Sequence, residues 1–410
     1  MRNAVYDYLI IGAGISGVAI ARLLQQRGVN NILVLEESDA PGGLCRTKQV
    51  GSHVLDVGGG HFFCTKHKDV YDFIFSHFPE SNFNQFDRVS KIDLYGNIID
   101  YPIESNIWQL PVYEQIKYLI SVARNGEARG LPAPETFEGW VRWKLGDEIA
   151  DRYMIPYNEK IWGVSPSELD VDWLHKIPAV DIEAILRTSL KRASDPSFFP
   201  SHDKFYYPKA GGYQAVFDAI ALPVKDLIQT GVPVRTIDQA DGLLIVNGQY
   251  KCKTIINTAP WHNLVTSPIF PSSIVECIEG LRNNSIVVSL HDQPYKTDAH
   301  WTYIPSRTVL HHREFYIHNF APHSDRNGVY REANVKRWES ETSCLYSHMN
   351  EYAYPIPAIG RAKYIKSILE WGSESKIYGL GRWGQWEYFN SDVCIKEAMI
   401  LSRRLLEIGS

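Results

Sequence analysis

Residues 6–28, YDYLIIGAGISGVAIARLLQQRG, leave few choices for how this chain folds at its start. The apolar run suits a strand buried in a parallel sheet, and the residues after it carry apolar side chains at helical spacing. Between them Gly12, Gly14 and Gly17 stand in the G-x-G-x-x-G order, with Ser16 inside the motif. One glycine makes the tight turn, one lets backbone approach a pyrophosphate and one permits close helix–strand packing. The helix N-terminus adds amide donors and the positive end of its dipole. The next strand, NILVLEE, delivers Glu36 24 positions after Gly12, where a carboxylate can take ribose hydroxyls. Strand, turn, helix, strand and acid in that order predict a Rossmann-like dinucleotide-binding unit.

Downstream, APGGLCRT adds Gly42, Gly43 and Leu44, with Arg46 behind them. This resembles the extended motif of FAD-binding enzymes of the amine-oxidase and glutathione-reductase type, which implies FAD, with NAD(P) as the alternative. A chain of 410 residues exceeds what one core usually serves, so two or three sub-domains are expected. Basic and acidic side chains number 42 and 47, without long runs of either sign. This gives no support to a nucleic-acid or anionic-membrane surface, so an anionic ligand must be held by local arginines. The cysteines (Cys45, Cys64, Cys252, Cys277, Cys344, Cys394) include no C-x-x-C pair. That argues against a disulfide framework or a zinc site, and no metal is expected. A reducing, cytoplasmic setting fits. The N-terminal apolar segment lacks a basic region and cleavage site and reads as a strand, not a signal peptide, and no apolar run is long enough to span a bilayer.

The expected architecture is α/β: a Rossmann-like FAD-binding domain, an inserted helical domain and a mixed or antiparallel β-sheet substrate domain. The first is assigned to 1–85, 208–265 and 372–410, the second to 105–200 and the third to 86–104 and 266–371. In SHVLDVGGGHFF three glycines precede His61, a place where backbone lies against something flat or crosses another strand closely. VSKIDLYGNIIDYPI reads as a hairpin turning at Gly96-Asn97, in a second sheet. From 113 to about 162 the pattern is helical, with Thr136 opening the later part. Residues 232–260 read as three strands, the last rejoining the nucleotide sheet. KIYGLGRWG reads as a final strand before a helix from about Ser391, with Ser391 or Asp392 as its cap and its amino end toward the cofactor.

Nine segments in one order resemble the UDP-galactopyranose mutases, nearest the eukaryotic branch, with protoporphyrinogen oxidases and amine oxidases as more distant relatives. They are IIGAGISG, GGLCRT, GGGHFF, GNIIDYPIESNIWQLP, TFEGWVRWKLGDEIADRYMIPYNEKIWG, YPKAGGY, REFYIHNF, YPIP and GRWGQWEYFNSDV. The resemblance implies a redox-neutral isomerase in which N5 of reduced FAD attacks the anomeric carbon of a nucleotide sugar. The nucleoside diphosphate leaves, and the sugar ring opens and recloses as a furanose. NAD(P)H or another donor first reduces the flavin, and a homo-oligomer is expected.

The resemblance also assigns residues. Tyr157 stands near the nucleobase and Trp162 near the sugar, with Tyr153, Asn158 and Asn319 in the same cleft. An aromatic face beside an amide is a way to stack and hydrogen-bond a base. Arg313 neutralises the diphosphate, a task for a fixed, always charged fork, and Tyr354 and Tyr388 donate hydroxyls to it. Gly60 and His61 lie beside N5, and Arg382 and Asp392 lie at the FAD. The pattern breaks where the mutases place a second arginine. DVDWLHKIPAVDIEAILRTS offers Lys176, Ile177 and Val180, and the next arginine is Arg187. Lys176 is the candidate replacement. Phe320 stands where a tyrosine is expected. A charged hydrogen bond contributes ~1.5–3 kcal/mol, so losing one cation opens the substrate range to other nucleotide hexoses. Two other readings stay open: an FAD oxidase or dehydrogenase of the amine-oxidase type, and a non-catalytic flavoprotein.

Overall fold

A computed structural model describes residues 4–174, 181–195, 198, 204–340 and 342–408. Its first sheet is built on Val5–Ile11, which pairs in parallel with Ile32–Leu35 on one side and Tyr250–Asn257 on the other. The final strand, Ile377–Gly379, also joins Tyr250–Asn257 in parallel, while Ile237–Ala240 and Leu243–Val246 extend that side antiparallel. Strand residues alternate between two cores. Ile10, Val34 and Ile256 face the helices Ile15–Gln26 and Ser391–Ile408, and Leu9, Leu33 and Ile255 face Trp261, Ile278 and Ile368. Burial on both faces explains why these strands read as unbroken apolar runs.

The second sheet runs in the order Cys344–Pro355, Asn283–Asp292, Gly328–Asn334, Arg313–Tyr316, Trp301–Tyr303, Ser90–Leu94, Asn97–Asp100. It is mixed, since Trp301–Tyr303 and Ser90–Leu94 run parallel. The predicted hairpin is present, but it turns at Tyr95-Gly96, one residue earlier than expected, and pairs Leu94 with Asn97. Both turn residues have positive φ, 55° and 91°. The reason is register: this turn keeps Ile92, Leu94 and Ile99 all buried, and a one-residue slip would turn them to solvent.

The helical stretch is divided. Val112–Ala123 is one helix, and Thr136 caps the next, Phe137–Leu145, by accepting the Gly139 N–H at 3.2 Å. After Gly146 the chain continues through Asp147–Ile149 and a π turn, Ala150–Met154, into Ile155–Trp162. Pro156 cannot donate to the carbonyl four residues back, and the helix widens just before it.

Two small ladders tie the layers together: Thr47–Val50 with His53–Asp56, and Phe83–Asp87 with Lys204–Pro208. Asp56 is 1% exposed and accepts from Thr47 Oγ1 at 2.5 Å, Tyr207 OH at 2.8 Å and Tyr213 N–H at 3.1 Å. Burial pushes it up to about 6 against those three donors. Asp56→Ala strands buried donors at ~1–3 kcal/mol each, so it should unfold at least ~2 kcal/mol more easily than Asp56→Asn, which keeps an acceptor. Equal denaturant midpoints for the two variants would contradict this account of the junction. No helix among the described residues is long and apolar enough to cross a membrane.

Candidate active-site cleft

The N-terminal glycines divide their tasks spatially. A Cβ on Gly14 would meet nothing within 4 Å, leaving that backbone open to a ligand, whereas one on Gly17 would stand 1.9 Å from the Gly12 carbonyl oxygen. The helix they introduce has no side-chain cap, so its first amides are free for an acceptor. Glu36 is held in place by accepting the Ala13 N–H at 2.7 Å and the Ser38 N–H at 2.9 Å. Gly43 backs onto Gly14, with 3.4 Å from its Cβ position to the Gly14 Cα. Ser16 is buried under Gly381, and the Leu44 carbonyl rests against Gly58.

The loop Gly58–Gly60 crosses from this layer to the second sheet. The flat object beneath it is the ring of Phe315: a Cβ on Gly60 would come within 2.2 Å of it. Gly60 N–H donates to Glu332 Oε1 at 3.1 Å. This close approach delivers His61 to the junction, with Nδ1 3.1 Å from the Gly59 carbonyl oxygen and its ring 5.7 Å from that of Tyr213. Burial first, then the cations Arg382 and Arg313, lower His61 to about 4 despite the Gly59 carbonyl and Glu332. The imidazole is therefore neutral at pH 7.

Arg313 lies directly across the ladder from Glu332 on one side and Tyr303 on the other, so the three side chains share a face. Its Nε and Nη2 donate to Glu332 Oε2 at 2.9 and 2.5 Å, and the guanidinium sits 4.7 Å over Phe315. Glu332 is 1% exposed. Burial pushes its carboxyl up, yet the Arg313 charge and the hydrogen bonds from His312 and Arg313 outweigh it and hold the group at about 2. His312, 3.4 Å away, is lowered by burial to about 4, so it meets the carboxylate as a neutral N–H and not as a charge. The charge of Arg313, assigned to a diphosphate from the sequence, already has a carboxylate partner.

Beside this pair stands an aromatic wall. Tyr354 and Tyr388 meet edge to face at 4.9 Å, each with its ring centroid 6.0 Å from that of Trp162. Arg382 lies over them at 5.3 and 5.7 Å and donates to the Phe389 and Ala353 carbonyls. Tyr153 stacks on Tyr157 at 5.7 Å, and Tyr157 meets Tyr303 edge to face. The structure thus gathers His61, Arg313, Arg382, Tyr354, Tyr388, Tyr157 and Trp162. Asp392, in the first turn of Ser391–Ile408, is raised by burial and bonds Thr65, while Ser391 Oγ lies 2.6 Å from Tyr213 OH.

Other expectations meet a different geometry. Asn158 Oδ1 accepts from Trp162 Nε1 at 3.1 Å and its Nδ2 donates to Met154 O at 2.8 Å, so the amide is engaged within its own helix. Asn319 gives both amide hydrogens to backbone, at Thr297 O and Ala299 O, and acts as a loop clamp instead of a free cleft donor. Phe320 is buried at 1% exposure. Lys176, with Ile177 and Val180, lies outside the described residues, and Arg187 pairs with Glu183 on an exposed helix face.

Sequence reasoning missed Glu332, an acid at an inward strand position, and Lys160, whose Nζ donates to Ile304 O and Ser306 O and which burial lowers to about 7. It also missed Arg88. That guanidinium is sandwiched 4.9 Å from both Tyr101 and Trp301 and donates to Tyr303 OH at 2.9 Å and Ser90 Oγ at 3.1 Å. It has no carboxylate partner among the described residues.

A sheet with a parallel centre, helices on both faces and a glycine-rich first turn defines a Rossmann-like fold, and the NAD(P)-binding Rossmann-like domain family matches residues 10–75. Over its full length the chain is similar to UDP-galactopyranose mutases. It is 22% identical to the one from Mycoplasma genitalium, over 98% of this chain and 95% of that protein. The dTDP-fucopyranose mutase of Escherichia coli is 27% identical over 42% of this chain, and the match spans only about half of that relative, 45%. The crystal structure of reduced UDP-galactopyranose mutase superposes with a TM-score of 0.87 at 23% identity, covering 99% and 95% of the two chains, and shares this fold.

Proposed function

We propose that this protein is an FAD-dependent nucleotide-sugar mutase, converting the pyranose form of UDP-galactose or a related nucleotide hexose to the furanose without net redox change. The residues of the first layer fit the cofactor: open backbone at Gly14, uncapped helix amides and a fixed Glu36 carboxylate suit pyrophosphate and ribose. When bound and reduced, by NAD(P)H or another donor, FAD would supply the nucleophile.

The observation that carries the reading is the arginine-rich, hydroxyl-rich wall where Arg313, Arg382, Tyr354 and Tyr388 converge with His61. A departing diphosphate needs preorganised donors, and these are already oriented by protein partners, so little reorganisation is required at the moment of reaction. Arg313 Nη1 has no hydrogen-bond partner among the described residues and is the edge it would present. Arg88, uncompensated by any described carboxylate, would provide a second cation where the segment after Trp162 offers no arginine before Arg187. Neutral His61 would pack against the ring system without donating a charge, and Trp162 and Tyr157 would shut water from the sugar and base. A cytoplasmic, homo-oligomeric enzyme is part of the same proposal.

An amine-oxidase-type reaction would call for an apolar channel, and this wall is polar. The test is oxygen. Supplied with a nucleotide sugar after reduction, the protein should form product without consuming oxygen or releasing hydrogen peroxide. Stoichiometric peroxide with each turnover would favour the oxidase reading.

A further inference from the structure

Lys160, in the helix Ile155–Trp162, is a buried cation held by neutral groups. It is 1% exposed, and no carboxylate among the described residues forms an ion pair with it. Its Nζ donates to Ile304 O at 2.8 Å and to Ser306 O at 2.9 Å, 144 and 146 positions along the chain. Burying a charge against neutral partners costs stability. The two carbonyls show what the contact holds.

They belong to the loop that joins Trp301–Tyr303 to Arg313–Tyr316. Ile304 N–H donates to His312 O at 2.9 Å and closes the neck of that loop, next to the cross-ladder pair Tyr303 and Arg313. On the helix, Lys160 stands about one turn after Tyr157, whose ring lies 5.4 Å from that of Tyr303 and 6.1 Å from that of His312. The other polar ties act elsewhere. Asn284 and Asn334 donate to Ile161 O and Lys336 Nζ to Gly163 O, which fix the end of the helix to the second sheet. Arg337 holds Arg307 O from the sheet side. Glu159 pairs with Arg307 at 2.7 Å, but both side chains reach solvent, where screening leaves such a pair little strength. Among the described residues Lys160 is therefore the buried polar tie between this helix and this loop.

We propose that Lys160 is a positioning residue that sets the width of the cleft, tying the helix that carries Tyr157 and Trp162 to the loop that delivers Arg313. That role rests on the nucleotide-sugar reading, in which the ligand spans these groups. The tie responds to pH. Burial first, then the charge of Arg337, lower Lys160 from 10.5 to about 7, and Asp93 opposes them. The remaining titratable neighbour, His312, is itself lowered to about 4 and is neutral in this range. The ammonium therefore loses its proton as pH rises through about 7. A neutral amine still donates to both carbonyls, but without the charge that makes each bond roughly twice as strong. The cleft is held firmly below that value and more loosely above it.

The test is calorimetric titration of the oxidised holoprotein with UDP-galactose at pH 6 and pH 8, a window in which neither oxidised flavin nor the sugar diphosphate titrates. The wild type should bind about threefold tighter at pH 6 than at pH 8, a partial loss because the neutral amine still donates. Lys160→Arg, charged at both values, should show no such slope. Lys160→Met keeps the apolar stem without the donors, and should bind at least about tenfold more weakly than wild type at pH 6, with a flat profile. Unfolding midpoints of all three are measured alongside. A purely structural lysine would lower the midpoint of Lys160→Met and leave its affinity at the wild-type value, and that result overturns the proposal. So does a flat wild-type profile, or a slope that survives in Lys160→Arg, the comparison that stands if Lys160→Met does not fold. Each of these leaves the mutase reading intact, whereas absence of UDP-galactose binding in the wild type and every variant overturns both.

Discussion

Arg313→Ala should lower turnover of the reduced protein at least about a hundredfold, because a preorganised cation at a departing charge contributes ~3 kcal/mol to the barrier. The geometry sharpens that expectation. Arg313 is fixed by two hydrogen bonds to a buried carboxylate and by the Phe315 ring, so it would not have to be ordered by the substrate. The substitution also leaves Glu332 buried with only Gly60 N–H and His312, so the variant should be less stable as well. Turnover must therefore be read well below its unfolding temperature. Arg313→Lys is the control: it keeps the charge but not the planar fork, and should recover part of the stability and little of the rate. Near-normal turnover by Arg313→Ala would count heavily against placing the leaving group here.

The second large effect belongs to Glu332 itself. Glu332→Gln removes the negative partner of Arg313 and should lower the unfolding free energy by ~3–5 kcal/mol at neutral pH, as expected when one side of a buried ion pair is removed. The pH dependence gives a stricter check. Folding holds the carboxyl at about 2, below its ordinary 4.5, so the folded state binds this proton less tightly than the unfolded chain does. The stabilisation is fully present above about pH 4.5 and is lost as pH falls toward 2. Urea unfolding of wild type and Glu332→Gln should therefore differ most near pH 7 and converge by about 2 kcal/mol on acidification to pH 3. An unchanged gap between the two pH values would mean that Glu332 is not the ionised anchor described.

What could be read from the sequence was local. The strand–turn–helix around Gly12, Gly14 and Gly17 and the Gly58–Gly60 approach depend on neighbouring residues, and both stand where expected, Phe315 being the flat surface. The hairpin was visible but its turn was placed one residue late, because its register is decided by burial of Ile92, Leu94 and Ile99 across the sheet. The break at Gly146 and the π turn before Pro156 were hidden inside a continuous helical pattern. Glu332 and Arg88 were missed for a common reason: each draws its meaning from partners far along the chain, or from lacking them, and spacing alone carries no such information. The amides of Asn158 and Asn319 were assigned to a ligand because their side-chain type suggested it. The fold instead uses them on Trp162, Met154, Thr297 and Ala299.

The most direct test of the central claim is ring size. Purified protein is reduced with dithionite under anaerobic conditions, incubated with a panel of nucleotide hexoses, and the products are examined by NMR. The account predicts furanose signals from at least one member of the panel, only after reduction and with no net flavin oxidation. Protein that purifies without bound flavin, or that returns every sugar as the pyranose once reduced, would contradict it.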